Sequence, residues 1–380
     1  MSITFQRTVE FLMNAWENRA EAPLPSVLLL GPPGIGKTSI AYEVLKRMRE
    51  KHPDAKIEVL DLTSRAPEDV GGLPKREDVV IYTPQRWAAE MAKPGTKGII
   101  VFDDLPAASP ATAVAVRQAV LDRRIHDCVF SDDVLILVTG NRRGDGAGAN
   151  TLPSQFRNAV CILEVEPSFD EWTNWFINSG GDVTIPSFLK WKPNLFSTLP
   201  KDADAKGSFA TPRTWAMLSR ILKAAKASGN LSQVTSGFVG EGPGLEYIAF
   251  AEVMANLPQP EDVFADPEKA LPDPKTLGTP DKLIAITSSL GYHAAKLAKA
   301  RLADRRCAIL AHEDGPALAI MEKYLSALAW VTQGSTEYVA SSMTSYTAAG
   351  GSTDLLTAGS RSCTSPGLQD MIRKIRSSLR

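Results

Sequence analysis

Gly31-Pro-Pro-Gly-Ile-Gly-Lys-Thr38 is the stretch on which the fold turns. It fits G-x-x-x-x-G-K-[ST] without a gap. It follows a short apolar run, Ser26-Val-Leu-Leu-Leu30, that reads as a buried strand. It opens residues 37–51, where Ile40, Val44, Leu45 and Met48 recur at helical spacing. A glycine-rich turn between a strand and a helix aims backbone N–H groups and the helix N-terminus at one point, which suits an anion. Gly31, Pro32, Pro33, Gly34, Ile35, Gly36, Lys37, Thr38 and Ser39 are therefore the candidate nucleotide contacts. Lys37 has the reach for β- and γ-phosphates, and the Thr38 hydroxyl is of the kind that ligates Mg²⁺. An incidental turn with a chance lysine is the competing reading, and both spacing and context disfavour it.

Outward from this loop the chain alternates. Phe5, Val9, Phe11, Leu12 and Trp16 give residues 3–20 a helical face. Lys56-Ile-Glu-Val-Leu-Asp61, Gly98-Ile-Ile-Val-Phe-Asp103, Val134-Leu-Ile-Leu-Val-Thr139 and Val160-Cys-Ile-Leu-Glu-Val165 read as four further strands. Short apolar strands separated by helices predict a parallel sheet covered on both faces. Ser109-Pro110 reads as an N-cap followed by proline in the first helical position. The third strand ends in Asp103-Asp104, the end at which open α/β sheets bind ligands. There Asp103 is a candidate to hold Mg²⁺ through water and Asp104 to polarise an attacking water. The fourth strand ends in Thr139-Gly140-Asn141, followed by Arg142 and Arg143, and Asn141 is a candidate contact to that water or to the γ-phosphate. Arg157 precedes the fifth strand. Arg213 falls in the first turn of a helix opened by Thr211-Pro212, where a cation opposes the helix dipole and so invites an anionic partner.

Beyond Pro167 the character changes. Ser168-Phe-Asp-Glu171 has capping-box spacing and opens an aromatic helix with Trp172, Trp175 and Phe176. Residues 179–210 read as loops, 256–282 as a Pro-rich connection and 282–330 as helical. From about 334 the chain is rich in Ser, Thr and Gly, until residues 367–380 recover a basic helical pattern around Met371-Ile-Arg-Lys-Ile-Arg376. The expected division is 1–166, an αβ nucleotide-binding part; 167–333, a helical lid and extension; and 334–380, a tail with a basic helix.

The 380 residues carry 42 Lys+Arg against 43 Asp+Glu, a balance unlike that of a chain built to coat nucleic acid or an anionic membrane. The start lacks a secretory layout, and the run Val27 to Leu30 is far short of the ~20 residues a bilayer span needs. Cys128, Cys161, Cys307 and Cys363 form no C-x-x-C pair, so neither a disulfide framework nor a zinc site is expected, and a cytoplasmic setting fits.

Taken together these motifs resemble an AAA+ ATPase, specifically the MoxR-like and dynein-related branch that includes McrB-type and midasin-type modules. The resemblance covers residues 1 to about 225. It rests on GPPGIGKT, Ala66-Pro-Glu-Asp-Val-Gly-Gly72, Val101-Phe-Asp-Asp-Leu-Pro106 with Asp122-Arg-Arg-Ile125, Val138-Thr-Gly-Asn141, Leu152-Pro-Ser-Gln-Phe-Arg-Asn158 and Thr211-Pro-Arg213. The Pro-Glu-Asp element favours this branch over AAA+ proteins at large. The resemblance implies a P-loop α/β fold with a five-stranded parallel sheet flanked by helices, a small all-α lid and a C-terminal helical extension. It implies a homo-hexameric ring with ATP and Mg²⁺ between subunits. Asn141 takes the sensor-1 position, Arg213 the sensor-2 position, and Arg157 is the best candidate for an arginine finger reaching into the neighbouring subunit. Two positions depart from the family pattern. Asp104 stands where Glu is usual, and Ala159 stands at the second arginine of L-x-x-x-x-R-N-R-F, so that Arg157, Arg142 or Arg143 must act as finger or none does.

The expected function is a chaperone-like ATPase that remodels or activates a protein partner. By resemblance that partner can carry a von Willebrand factor A domain. In related rings the loop from Pro74 to Pro94 faces the pore, making Tyr82 or Trp87 a candidate grip on substrate, with Trp87 more at home in a core. The competing functions are a nucleotide-dependent assembly scaffold with slow or negligible hydrolysis, a nucleic-acid motor or loader, and a nucleotide kinase. The balanced charge and the lack of a DNA-binding motif count against the motor. The kinase leaves Asn141, Arg157 and Arg213 unexplained together.

Overall fold

The computed structural model describes residues 2–21, 24–77, 80–145, 152–200, 207–303, 315–333 and 335–362. They divide into two compact units. The first takes the chain through Ser168 together with Thr211–Arg213; the second runs from Phe169 to Thr198, with Gly207–Ala210, and resumes at Thr214.

In the first unit the order is α1 (Phe5–Glu17), β1 (Val27–Leu30), α2 (Lys37–Lys51), β2 (Lys56–Asp61), α3 (Pro67–Gly71), β3 (Leu73–Arg76), β4 (Val80–Thr83), α4 (Arg86–Met91) and β5 (Gly98–Asp103). It continues with α5 (Pro110–Asp122), β6 (Arg124–Ile125), β7 (Cys128–Val129), β8 (Val134–Gly140), α6 (Ser154–Asn158) and β9 (Cys161–Glu164). Five strands form one sheet in the order β2-β5-β8-β1-β9, every pairing parallel. The alternation of side chains along a strand then fills two cores. Val27, Leu29, Ile99, Val101, Leu135 and Leu137 pack against Val9, Leu12 and Trp16 of α1 and Ile40, Val44 and Met48 of α2. Leu28, Ile100, Phe102, Ile136 and Val138 face the opposite way, onto Val116, Ala119 and Val120 of α5. All five strands and both covering layers follow the sequence expectation, including the Ser109 hydroxyl that accepts the Thr112 N–H at 3.1 Å with Pro110 in the first turn.

Two antiparallel hairpins, β3–β4 and β6–β7, interrupt the alternation. The first lies within the stretch read from sequence as a loop. Trp87 is buried against Phe102 and Phe130, whereas Tyr82 is exposed and stacks on His126 at 3.9 Å.

At the N-terminal edge of the sheet a staple fixes α1. The Trp16 Nε1–H donates to the Asp133 carbonyl at 2.9 Å, and Arg19 lies 4.0 Å from the Trp16 ring centroid while its Nε–H donates to the Asp133 carboxylate at 2.5 Å. Lys97 is 3.4 Å from the same carboxylate. Burial alone would raise the Asp133 pKa, but the bonds and charges of Arg19 and Lys97 outweigh it and hold the carboxyl below its ordinary range. A group lowered on folding stabilises above its unfolded pKa and loses that contribution as pH falls through its folded one. Asp133→Ala should therefore cost about 1 kcal/mol at pH 7. In urea denaturation the gap between wild type and variant should narrow as pH falls below the ordinary carboxyl range; a gap independent of pH would contradict the staple.

The second unit is helical: α7 (Phe169–Asn178), α8 (Thr184–Trp191), α9 (Pro212–Ala227, whose first two residues fall in the first unit), α10 (Leu231–Val239), α11 (Glu241–Ala255), α12 (Pro260–Ala265), α13 (Pro267–Ala270), α14 (Pro280–Ala303), α15 (Gly315–Thr332), α16 (Thr336–Ala348) and α17 (Thr353–Ser362). Three stretches differ from the sequence reading. Residues 184–191 are helical within the segment read as loop, because Ile185, Phe188 and Leu189 are wholly buried. The Pro-rich 256–282 segment contains α12, α13 and a 3₁₀ turn, each begun by proline. Proline suits a first helical turn, and the Asp266 and Asp273 carboxylates cap by accepting the N–H of Lys269 and Lys275. The Ser/Thr-rich stretch after 334 forms α16 and α17, with Val339, Met343, Tyr346, Leu355 and Leu356 buried. Its hydroxyls are absorbed along the helix, Thr344 and Ser345 donating to the carbonyls of Ala340 and Ser341 at 2.8 and 3.0 Å. The basic pattern of 367–380 lies outside the described residues. Among the described residues no helix is long and apolar enough to cross a membrane.

Candidate nucleotide site

The strand order sets β1 between β8 and β9, with β5 beyond β8, so the C-terminal ends of β1, β5 and β8 lie side by side. In register, Leu30 pairs with Gly140, and Asp61 with Asp103. This convergence brings Gly31–Thr38, Asp103-Asp104 and Asn141 to one point.

The loop turns through left-handed glycines, Gly34 at φ 76° and Gly36 at φ 95°, directly before α2. Only glycine fits at 34, because a Cβ there would lie 2.7 Å from the Thr211 Oγ1. The Arg213 N–H donates to the Gly34 carbonyl at 3.1 Å, so the start of α9 rests on the loop, with the Arg213 side chain exposed.

Lys37 is buried at the first position of α2. Its Nζ donates to the carbonyls of Gly31 at 2.8 Å and Pro32 at 2.9 Å, and to the Asn141 Oδ1 at 2.8 Å. Burial pushes its pKa down to about 8, against the pull of Asp104, Asp103 and Asp145, with Arg213 adding to the depression. A polyphosphate at the loop would replace the lost solvation and move the pKa back up. Nucleotide binding should accordingly take up a proton near pH 8, and affinity should fall as pH rises above it. Calorimetry at pH 8 in two buffers of different ionisation heat reads the uptake directly; equal heats in both would contradict it.

The Thr38 hydroxyl donates to the Asp103 carboxylate at 2.8 Å. A hydroxyl and a carboxylate oxygen so paired are the hard donors that Mg²⁺ takes, the rest of its shell coming from water and phosphate. The residues present fit that ion, and among the described residues no group of three or more His, Cys, Asp or Glu side chains forms a rival metal site. Asp104 stands at φ 55°, the left-handed region that Asp tolerates better than most residues. Burial raises its carboxyl pKa and the negative charge of Asp103 raises it further, with Lys37 opposing. The Asn141 Nδ2–H lies 3.4 Å from the Asp104 Oδ1, so Asn141 spans Lys37 and Asp104.

Two contributors were missed in the sequence. Thr139 donates to the Asp103 carboxylate and accepts the Asp104 N–H at 3.1 Å, tying β8 to the acidic strand end. Its one signal was a hydroxyl residue at the tip of an otherwise apolar strand. Arg142, which the sequence offered as an alternative finger, is instead bound to carboxylates of its own chain: Asp145, Glu166 and Glu164 at 3.2, 2.7 and 3.8 Å. Arg157, in the last turn of α6, is exposed, and Ser39 is exposed on α2.

Residues 26–157 match the model of the AAA domain, dynein-related subfamily. Among solved structures the chain is similar to a point mutant of Thermotoga maritima RuvB at 16% identity, over 66% of this chain and 71% of that one, with a TM-score of 0.39. It is similar to C. elegans PCH-2 at 13% identity, over 64% and 66%, with a TM-score of 0.32. A third is the closed state of Hsp104 with ATPγS and casein, at 14% identity over 65% and 44%, with a TM-score of 0.35. No curated protein matches the chain.

Proposed function

Because residues 26–157 are an AAA domain of the dynein-related subfamily, we propose that the chain hydrolyses ATP at the subunit interfaces of a homo-hexameric ring and uses the cycle to remodel or activate a protein partner. The observation that carries this reading is the convergence of Lys37, Thr38, Asp103, Asp104 and Asn141 at the ends of three adjacent strands. On this reading the loop amides and Lys37 hold the β- and γ-phosphates, and Thr38 and Asp103 hold Mg²⁺. Bound there, the ion neutralises charge developing between those phosphates. Asp104 orients and deprotonates the attacking water; a carboxyl raised by burial is the better base for that task. Asn141 fixes Asp104 relative to Lys37. Arg213 addresses the nucleotide from the start of α9, and the helical region from 167 onward serves as lid and extension.

Arg157 is proposed as the finger for the neighbouring site. Its exposure supports this, as does the engagement of Arg142 within its own subunit. For the partner, the exposed Leu73, Val80, Ile81 and Tyr82 on the β3–β4 hairpin support contact with a polypeptide. The MoxR-like resemblance favours a partner with a von Willebrand factor A domain.

A second reading, the assembly scaffold, is favoured by one observation: Asp104 is a methylene shorter than the usual glutamate, which sets its carboxylate back from a bound water. The test is Mg²⁺-dependent phosphate release from ATP by the purified chain, with particle images taken alongside. Release that stops when Mg²⁺ is withdrawn supports the ATPase. Six-membered rings that bind ATP and release no phosphate would leave the scaffold in its place.

A further inference from the structure

Asn141 has two partners to hold, yet it lies outside the sheet, one residue past the end of β8. Nothing in the strand ladder fixes it. The fixing comes from the next residue. The Arg142 N–H and its Nε–H both donate to one oxygen of Asp145, at 3.0 and 3.2 Å, closing the turn that follows the strand. The Arg142 Nη1–H donates to the Glu166 Oε1 at 2.7 Å and lies 3.8 Å from Glu164, the last residue of β9. Since β1 separates β8 from β9, this guanidinium bridges the tips of the two strands flanking the start of the phosphate loop. The far anchor is itself fixed. The Val165 N–H donates to the Leu30 carbonyl at 2.7 Å and the Glu166 N–H to the Ile3 carbonyl at 3.0 Å. A Cβ on Gly31 would lie 2.4 Å from the Val165 carbonyl, so β9 abuts the loop at its first residue.

We propose that Arg142 is a positioning residue for hydrolysis: by clamping the tip of β8 to the tip of β9 it holds Asn141 in register with Lys37 and Asp104. This rests on the ATPase reading above. The clamp also balances charge. Asp145 is near enough to Lys37 to favour its protonated form, and without Arg142 three carboxylates would stand beside a site that must accept a polyphosphate. Loss of Arg142 therefore has two separable consequences. Misplaced Asn141 lowers kcat. Uncompensated acidic charge raises KM for ATP. Lysine restores the charge without the planar fork that reaches Asp145 and Glu166 at once.

The experiment is steady-state phosphate release by wild type, Arg142→Gln, Arg142→Lys and Glu166→Gln, each checked for an unchanged thermal transition. Arg142→Gln should lower kcat by about 10- to 100-fold and raise KM. Arg142→Lys should return KM toward wild type and leave kcat low. Glu166→Gln, which cuts one arm of the clamp and lightens the acidic cluster, should lower kcat without raising KM, and it serves if the arginine variants do not fold. Adding Lys37→Ala subunits to Arg142→Gln should restore nothing, because Arg142 acts within its own subunit. An active wild type with unchanged kcat in Arg142→Gln and Glu166→Gln overturns the proposal and leaves the ATPase reading standing. Restoration by Lys37→Ala subunits overturns it in favour of a trans role. A wild type that binds ATP without hydrolysing it overturns both.

Discussion

Lys37→Ala should abolish phosphate release, lowering it by at least about 10²–10³-fold, while the chain still folds. The side chain is the one cation buried within the loop, and its three bonds to Gly31, Pro32 and Asn141 show how much donor capacity is gathered there. A phosphoryl group transferring through a transition state with charge spread over its oxygens has most to lose from removal of a fixed donor in a site shielded from water. The effect on folding has the opposite character. The folded pKa of Lys37 is about 8 against an ordinary 10.5, so burial makes the charged form costly to the native state. The unfolded chain binds more protons between those values, and the linkage contribution of Lys37 to stability grows as pH rises through that window. Below pH 8 the variant sheds this burial cost, which offsets part of the lost bonding, and its thermal transition at pH 7 should stay close to wild type. Equal phosphate release by wild type and Lys37→Ala would sink the ATPase reading.

What the sequence disclosed about this site was what is local. The phosphate loop, the acidic end of β5 and the tip of β8 each announce themselves within a few residues, because strand, turn and helix preferences act over that range and a parallel sheet brings strand ends together by its topology alone. Asp103, Asp104 and Asn141 could be named for that reason. The clamp made by Arg142 and the tie made by Thr139 could not. Apart from Asp145, three residues beyond Arg142, their partners (Glu164 and Glu166 for the first, Asp103 for the second) lie 22 to 36 residues away in sequence, and a bare arginine or threonine carries no sign of them. The helical unit was harder for a different reason. Prolines that read as breakers sit in first turns, where they are compatible with helix. Serines and threonines that read as loop return their hydroxyls to the preceding turn and leave Val339, Met343 and Tyr346 to pack. Composition registers the polar groups and misses the tertiary burial that decides the outcome.

Arg157→Ala should reduce hydrolysis by about 10³-fold while nucleotide affinity changes little. A finger acts on charge that exists only in the transition state, so its removal appears in kcat. The sharper test uses the proposed ring. Lys37→Ala subunits cannot hold the phosphates but keep Arg157; Arg157→Ala subunits have an intact loop and no finger. Each preparation alone should be inactive. Mixed in equal amounts and reassembled at random, they should form an interface with an intact loop on one side and an intact finger on the other roughly one time in four, and recover about a quarter of wild-type activity. If Arg157 served its own subunit, no arrangement of these two chains would contain a complete site and the mixture would stay silent. If Arg157 had no part in hydrolysis, the Arg157→Ala preparation would be active before mixing. Exposure on α6 fits the first outcome best, since a guanidinium desolvated within its own subunit would be unavailable to a neighbour, as Arg142 is once Asp145 and Glu166 have taken it. Ala159 stands where the resemblance places a second arginine, so on the proposed ring reading the neighbour's transition-state charge falls to Arg157.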